Sequence, residues 1–258
     1  MRIISLSVDG IHQAAHRGLF DWLVEQDAEV ICLQDVRAQE PELFAIPGFE
    51  LDGYFTYVLD SPEPHKDGVV IYTRQQPKAL VYGFGLTNGM DVSGRYLQAD
   101  FEHISVGNLL GPVGEAGQKS QEVKDRFFSD LQSHLHKVTN KRRRYIICGN
   151  WQIAHTHDDV ENADHHETES GFLTNERIWM DQLIHQIGYA DAFRLSNTDT
   201  DEFSFWPEGE IDEGDGWRTD YQIISGSLAS RVEYAVIYTA KQFSSHAPVI
   251  IDYDIEEL

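Results

Sequence analysis

Short runs of Val, Ile and Tyr bounded by turn residues alternate with longer amphipathic stretches along all 258 residues, and this alternation is what most constrains the fold. Arg2–Val8 reads as a strand, and Ile11–Gln26 as a helix with Leu19, Phe20, Leu23 and Val24 on one face. Glu29–Gln34 is a second, buried strand. Strand patterns then dominate: Tyr54–Leu59, Val69–Arg74, Ala79–Phe84, and Tyr96–Leu109 with a turn inside it. Gln121–Val138 has helical periodicity, its apolar side built from Val123, Phe127, Phe128, Leu131, Leu135 and Val138. Tyr145–Cys148 is a short strand, His155–Ser170 a polar, His-rich loop, and Asn175–Gln186 a helix. Strands at Arg218–Ser225, Val232–Tyr238 and Val249–Tyr253 close the order. Both halves mix strands and helices, with no linker, low-complexity segment or clear repeat. The order predicts one α/β domain over residues 1–258, with two packed mixed β-sheets flanked by helices rather than a doubly wound sheet.

With 41% hydrophobic and 24% charged residues, the chain is neither disordered nor collagen-like. No apolar run approaches the roughly 18 residues of a membrane span, and Met1-Arg2-Ile3-Ile4-Ser5 carries no signal-peptide signature. Cys32 and Cys148 each sit inside an apolar run, which predicts buried free thiols and a reducing cytoplasm. Charge bears more directly on function. With 43 Asp+Glu against 20 Lys+Arg the net charge is −23, which repels phosphate backbones. Nucleic acid must therefore meet a local basic patch or be presented by a partner. Lys141-Arg142-Arg143-Arg144 is the concentrated basic run, and four adjacent cations suit phosphates or an acidic partner. The alternative is that they stay solvated and neutralise the end of the preceding helix.

Several segments at strand ends are distinctive as a set. They are Ile4-Ser5-Leu6-Ser7-Val8-Asp9-Gly10, Ile31-Cys32-Leu33-Gln34-Asp35, Gly68-Val69-Val70-Ile71-Tyr72, Gly94-Arg95-Tyr96-Leu97-Gln98 and Cys148-Gly149-Asn150-Trp151-Gln152. Glu176-Arg177-Ile178-Trp179-Met180-Asp181, Phe203-Ser204-Phe205-Trp206, Trp217-Arg218-Thr219-Asp220-Tyr221 and Ser244-Ser245-His246-Ala247-Pro248 follow. In order and spacing the chain resembles, from end to end, the exonuclease III branch of the endonuclease/exonuclease/phosphatase family. The resemblance implies a four-layered α/β sandwich with the active site where loops of both sheets meet.

Phosphodiester hydrolysis needs oxygen ligands for Mg²⁺, a base for water and donors to the phosphate. Against the family pattern the positions that supply these are altered. Ser7 stands for an Asn, Asp35 for a metal-binding Glu (shorter by about 1.5 Å), and Leu110 for a Tyr. Asn150 stands for the Asp that handles the nucleophile's proton, and Gln152 for its companion Asn. Ser245 replaces the Asp of Ser-Asp-His, read here as the carboxylate that orients the histidine; Asp220 and His246 keep their family identity. Loss of a general base alone costs about 10² to 10⁴ in rate. The expectation is a remnant site at these eight positions, no catalytic residues, no cofactor or metal, and no enzyme activity.

Asp35 together with Leu51-Asp52-Gly53-Tyr54-Phe55, Arg95–Phe101, the run at residues 141–144, Gly188–Ala192 and His246–Asp254 is similar, within that family, to the catabolite repression control (Crc) branch. That likeness implies a non-enzymatic regulator, partnered by the RNA chaperone Hfq, that represses translation at A-rich mRNA sites. It also implies partner or self-association contacts at Arg194 and Arg231, beside Lys141, Arg142, Arg143 and Arg144. The rival readings are a metal-dependent phosphodiesterase with its metal on Asp35 and Asp220, and a module that binds DNA lesions without cutting. His155, His157, Asp158, Asp159, Asp164, His165, His166 and Glu167 offer metal donors, but His-x-His without a spaced second half predicts a solvated, flexible loop. Phe203, Phe205 and Trp206 are read either as core packing or as a stacking surface for a base.

Overall fold

The computed structural model describes residues 1–139, 143–211, 213–256 and 258. Its strands are β1 (Arg2–Ser7), β2 (Val30–Gln34), β3 (Phe55–Leu59), β4 (Val69–Thr73), β5 (Ala79–Tyr82), β6 (Tyr96–Asp100), β7 (Ile104–Leu110), β8 (Arg144–Asn150), β9 (Tyr189–Asp191), β10 (Asp220–Ser225), β11 (Val232–Ile237) and β12 (Val249–Tyr253). They form two six-stranded sheets, ordered β11-β12-β1-β2-β4-β3 and β5-β6-β7-β8-β10-β9. β1 runs parallel to β2 and β7 parallel to β8, while β12 and β10 run antiparallel to their neighbours β1 and β8.

Alternation along each strand assigns the layers. Ile3, Cys32 and Ile71 of the first sheet and Leu97, Val106, Ile146 and Cys148 of the second face each other in one shared core. Ile4, Leu6, Ile31 and Leu33 point the other way, onto Ile11 and Ala14 of α1 (Ile11–His16) and Leu19, Phe20, Trp22 and Leu23 of α2 (Leu19–Glu25). On the outer face of the second sheet, Tyr145, Ile147 and Tyr221 pack beneath Phe127, Phe128, Leu131 and Leu135 of α4 and Trp179 and Met180 of α5. These helices span Lys119–Thr139 and Thr174–Gln182; α3 (Glu40–Leu43) and α6 (Ala192–Ser196) are short additions. The result is helix, sheet, sheet, helix, the predicted sandwich. Each fully buried Leu, Ile or Phe in it contributes about 1.5–3 kcal/mol of transfer free energy.

Three differences from the sequence reading have local causes. The helix expected over 11–26 is two, because Gly18 adopts φ 80° and resets the helical phase. Trp22 is thereby turned inward and Val24 left 60% exposed. On α4 the buried face takes Lys124 rather than Val123, since Lys124 has the carboxylate of Glu176 to meet inside. β9 and α6 escaped the sequence reading because three- and five-residue elements carry too few turns of pattern. Cys32 and Cys148 are free and buried in the shared core, and burial pushes the Cys148 thiol well up. Among the described residues no helix is long and apolar enough to cross a membrane.

Candidate active site

Strand direction and register gather the motif residues at one rim. β1, β2 and β8 end there, and the antiparallel β10 and β12 begin there. Ser7 pairs with Gln34 in register, Asn150 with Asp220, and Asn150 with Leu110 on its other side. Gly149 brings Asn150 to this rim: with φ 148° and Leu109 O only 1.9 Å from where a Cβ would lie, no other residue fits. Asn150 Nδ2 lies 3.5 Å from Ser7 Oγ, and Asn150 Oδ1 accepts from the Gln152 backbone N–H at 3.0 Å. Leu110, 4% exposed, belongs to the shared core but also lines the cleft.

At the centre lies a buried carboxylate–imidazole pair. His246 Nδ1 is 2.8 Å from Asp220 Oδ2, which also accepts from Ser204 Oγ at 2.7 Å. The imidazole stacks on Phe205 with centroids 4.4 Å apart, while Trp206 is taken into the shared core. The expectation that His246 had lost its orienting carboxylate is therefore corrected. Asp220, from the second sheet, orients it, and Ser245, the sequence neighbour, instead sits 3.3 Å from Asp9 Oδ2. Asp220 Oδ1 is buried without a partner among the described residues, a position that a water, an ion or a substrate group would satisfy.

Where β2 and β7 end at the same rim opens a cleft of about 310 Å³ lined by Asp35, Arg37, Asp67, Arg95, Leu110 and Gln152, among others, but not by Asp220 or His246. Arg37 and Asp67 stand in none of the motifs, and no spacing rule would single them out. Arg95 grips both oxygens of Asp67 at 2.9 Å. Burial raises the Asp67 pKa against the pull of Arg95, and burial likewise lowers that of Arg95. Arg37 bonds Asp35 and Asp9; burial works to lower its pKa, but the hydrogen bond to Asp35 and the surrounding carboxylates together raise it. Asp9, Asp35, Arg37, Asp67 and Gln152 all have left-handed backbones, φ between 49° and 55°. Such conformations in non-glycine residues collect at functional sites because surrounding contacts must hold them.

The other sequence candidates lie elsewhere. Arg144 opens β8, six residues and about 20 Å from Asn150 at its far end. Arg143 donates to the carbonyls of Phe101 (2.8 Å) and Ile104 (3.4 Å), and Lys141 and Arg142 lie outside the described residues. Arg194 is held by Asp159 at 2.7 Å and Arg231 by Asp254 at 2.7 Å. The His-rich loop is tied down rather than merely solvated: His155 bonds Asp181 at 2.8 Å, His157 Glu167 at 3.3 Å and His166 Asp215 at 2.8 Å. Of the two carboxylates offered for a metal, Asp35 is engaged by Arg37 and Asp220 Oδ2 by His246, while Asp220 Oδ1 has no partner among the described residues.

Comparison with known proteins extends over the whole chain. A profile described as the endonuclease/exonuclease/phosphatase family matches residues 11–241. The exodeoxyribonuclease of Bacillus subtilis is 28% identical over 253 residues, covering 96% of this chain and 98% of the relative. Exodeoxyribonuclease III of Haemophilus influenzae is 29% identical over 98% of this chain and 100% of its own length. An AP endonuclease from Archaeoglobus fulgidus superposes with a TM-score of 0.86 at 21% identity, covering 99% of this chain and all of the other, and so shows the same fold. The expectation of a chain without enzyme activity is overturned here. Relatives that align from end to end are named nucleases, and the substitutions leave the Asp220–His246 pair assembled.

Proposed function

The chain belongs to the endonuclease/exonuclease/phosphatase family, and on that premise we propose that it is a phosphodiesterase of the exonuclease III type acting on DNA. The observation that carries this reading is the Asp220–His246 pair at 2.8 Å, set at the rim where both sheets end. Asp220 fixes Nδ1, which leaves Nε2 as the nitrogen that takes a proton from attacking water or gives one to the leaving oxygen. Ser204 holds Asp220 in place. The amide groups of Asn150 and Gln152 and the hydroxyl of Ser7 supply neutral donors for phosphate oxygens. Asn150 cannot serve as a base, so proton handling falls to His246.

The test is cleavage of two duplex substrates, one with a recessed 3′ end and one with an abasic site, in Mg²⁺ and in EDTA. Turnover should fall about 10²- to 10⁴-fold in His246→Ala and Asp220→Ala, with folding checked by circular dichroism. Absence of cleavage of both substrates in both buffers would sink the reading. The narrower likeness to the Crc branch, with Hfq and A-rich RNA as partners, is a second proposal about association. What supports it is the basic composition of the run at residues 141–144, of which Arg144 opens β8 at the end away from Asn150.

A further inference from the structure

The family resemblance implies a divalent metal bound through Asp35, and the residues present do not fit one. Both oxygens of Asp35 are taken by Arg37, Nε at 3.1 Å from Oδ1 and Nη2 at 2.8 Å from Oδ2. The same Nη2 lies 2.5 Å from Oδ1 of Asp9. Asp67 is occupied by Arg95, and Asp220 is held through Oδ2 by His246, its Oδ1 alone being left without a partner among the described residues. Among the described residues, no group of three or more His, Cys, Asp or Glu is arranged to hold a metal ion.

The guanidinium is built into this position. Asp35 and Arg37 are both left-handed (φ 55° and 51°), and the turn between them is anchored by Val36 N–H to Gly68 O at 3.2 Å and Arg37 N–H to Asp67 O at 2.8 Å. Arg37 remains 45% exposed and lines the cleft. A divalent ion entering between Asp9 and Asp35 would have to displace a cation matched by two carboxylates, and would leave two like charges side by side.

We propose that the Arg37 guanidinium occupies the place of the divalent cation, so that the cleft binds a nucleic-acid phosphodiester without metal. A guanidinium keeps its charge at any working pH, and with Nε and Nη2 turned to Asp35 and Asp9 its Nη1 remains to donate to a phosphate oxygen. Lys66 and Arg95 line the same wall, each paired with a carboxylate, Glu63 and Asp67. The phosphodiester part rests on the function proposed above; the exclusion of metal stands on its own geometry.

Two measurements on the intact protein test this. In a Mn²⁺ titration followed by electron paramagnetic resonance, the wild type should show no stoichiometric tight site, whereas Arg37→Gln should gain one by freeing Asp9 and Asp35. Fluorescence anisotropy with a labelled recessed-end duplex should give affinities in EDTA and Mg²⁺ that agree within about twofold, and a loss of about tenfold in Arg37→Gln but less in Arg37→Lys. A tight wild-type Mn²⁺ site abolished by Asp35→Asn would overturn the inference, as would binding that disappears in EDTA. Metal-dependent cleavage with such a site would leave the phosphodiesterase standing and this inference fallen. DNA that fails to bind in either buffer counts against both the phosphodiester part and the proposed function, while the Mn²⁺ titration still decides the metal part.

Discussion

Lys124 shows how one side chain ties a site to its scaffold. It leaves α4 on the buried face, its side chain 2% exposed, and its ammonium lies 2.6 Å from Glu176 Oε1 on α5. The same ammonium donates to the carbonyl of Gln152 at 2.7 Å, so the ion pair also holds the left-handed turn after Asn150. Burial lowers the Lys124 pKa, with the Glu176 charge opposing. Lys124→Met should destabilise the fold by about 3–5 kcal/mol in urea unfolding, because it strands a buried carboxylate. Lys124→Met with Glu176→Gln should recover part of that, since the amide removes the charge and its oxygen still accepts from the Gly171 and Leu173 N–H groups. If the single variant unfolds like the wild type, the pair is not what secures the turn. The sequence offered no hint of this role, since a Lys within an amphipathic helix ordinarily reads as solvent-facing.

At the scale of elements, the loop over residues 155–170 is held by polar pairs around a small apolar cluster of Val160, Ala163, Phe172 and Trp217. His166 sits between Glu169 at 3.1 Å and Asp215 at 2.8 Å, and against Trp217. Burial works to lower the His166 pKa, but its bonds to Asp215 and Glu169 prevail and raise it; the bond to His166 in turn lowers that of Asp215. A raised histidine pKa stabilises the fold fully below the unfolded value of about 6.5 and loses that contribution as pH climbs through the folded value. The depressed Asp215 acts in the opposite sense, its contribution vanishing as pH falls through its folded value. Amide hydrogen exchange across residues 155–170 should therefore quicken, relative to the core strands, as pH rises above about 6.5 once intrinsic exchange is divided out. His166→Gln should flatten that dependence. A wild-type loop whose corrected exchange ignores pH would refute the account. The His, Asp and Glu were legible in the sequence as titratable donors; their pairing across about 50 residues of chain, His166 to Asp215, was not.

For the molecule as a whole, a net charge of −23 governs encounters. Long-range repulsion slows approach to any polyanion, and the cations of the cleft are matched by Asp9, Asp35 and Asp67. An RNA partner reading consequently requires the strand to be presented. A gel-shift titration on A-rich RNA should give a slower band only with this protein and Hfq together, weakened by Arg142→Glu with Arg144→Glu. Arg143 is unsuitable for reversal because it caps the Phe101 and Ile104 carbonyls. A band that the charge reversals leave unchanged would remove the basic run from the interface, and no joint band would end the Hfq proposal.

The sandwich and the rim were legible in the sequence because both follow from local rules. Continuous apolar runs such as Val30-Ile31-Cys32-Leu33 must bury both faces, and strand direction sends the ends of β1, β2 and β8 to one side. Residue identity likewise named Ser7, Asn150, Asp220 and His246. What sequence could not supply was partnership at long range. Asp220 reaches His246 from another sheet, Arg37 turns back onto Asp9 and Asp35, and Lys124 crosses to Glu176. Each of these depends on where separate elements stop and on backbone angles set by tertiary contacts, and a linear pattern encodes neither. The tertiary structure thus decided the chemistry of the rim: a histidine with its carboxylate, and, in the cleft, a guanidinium among the acids.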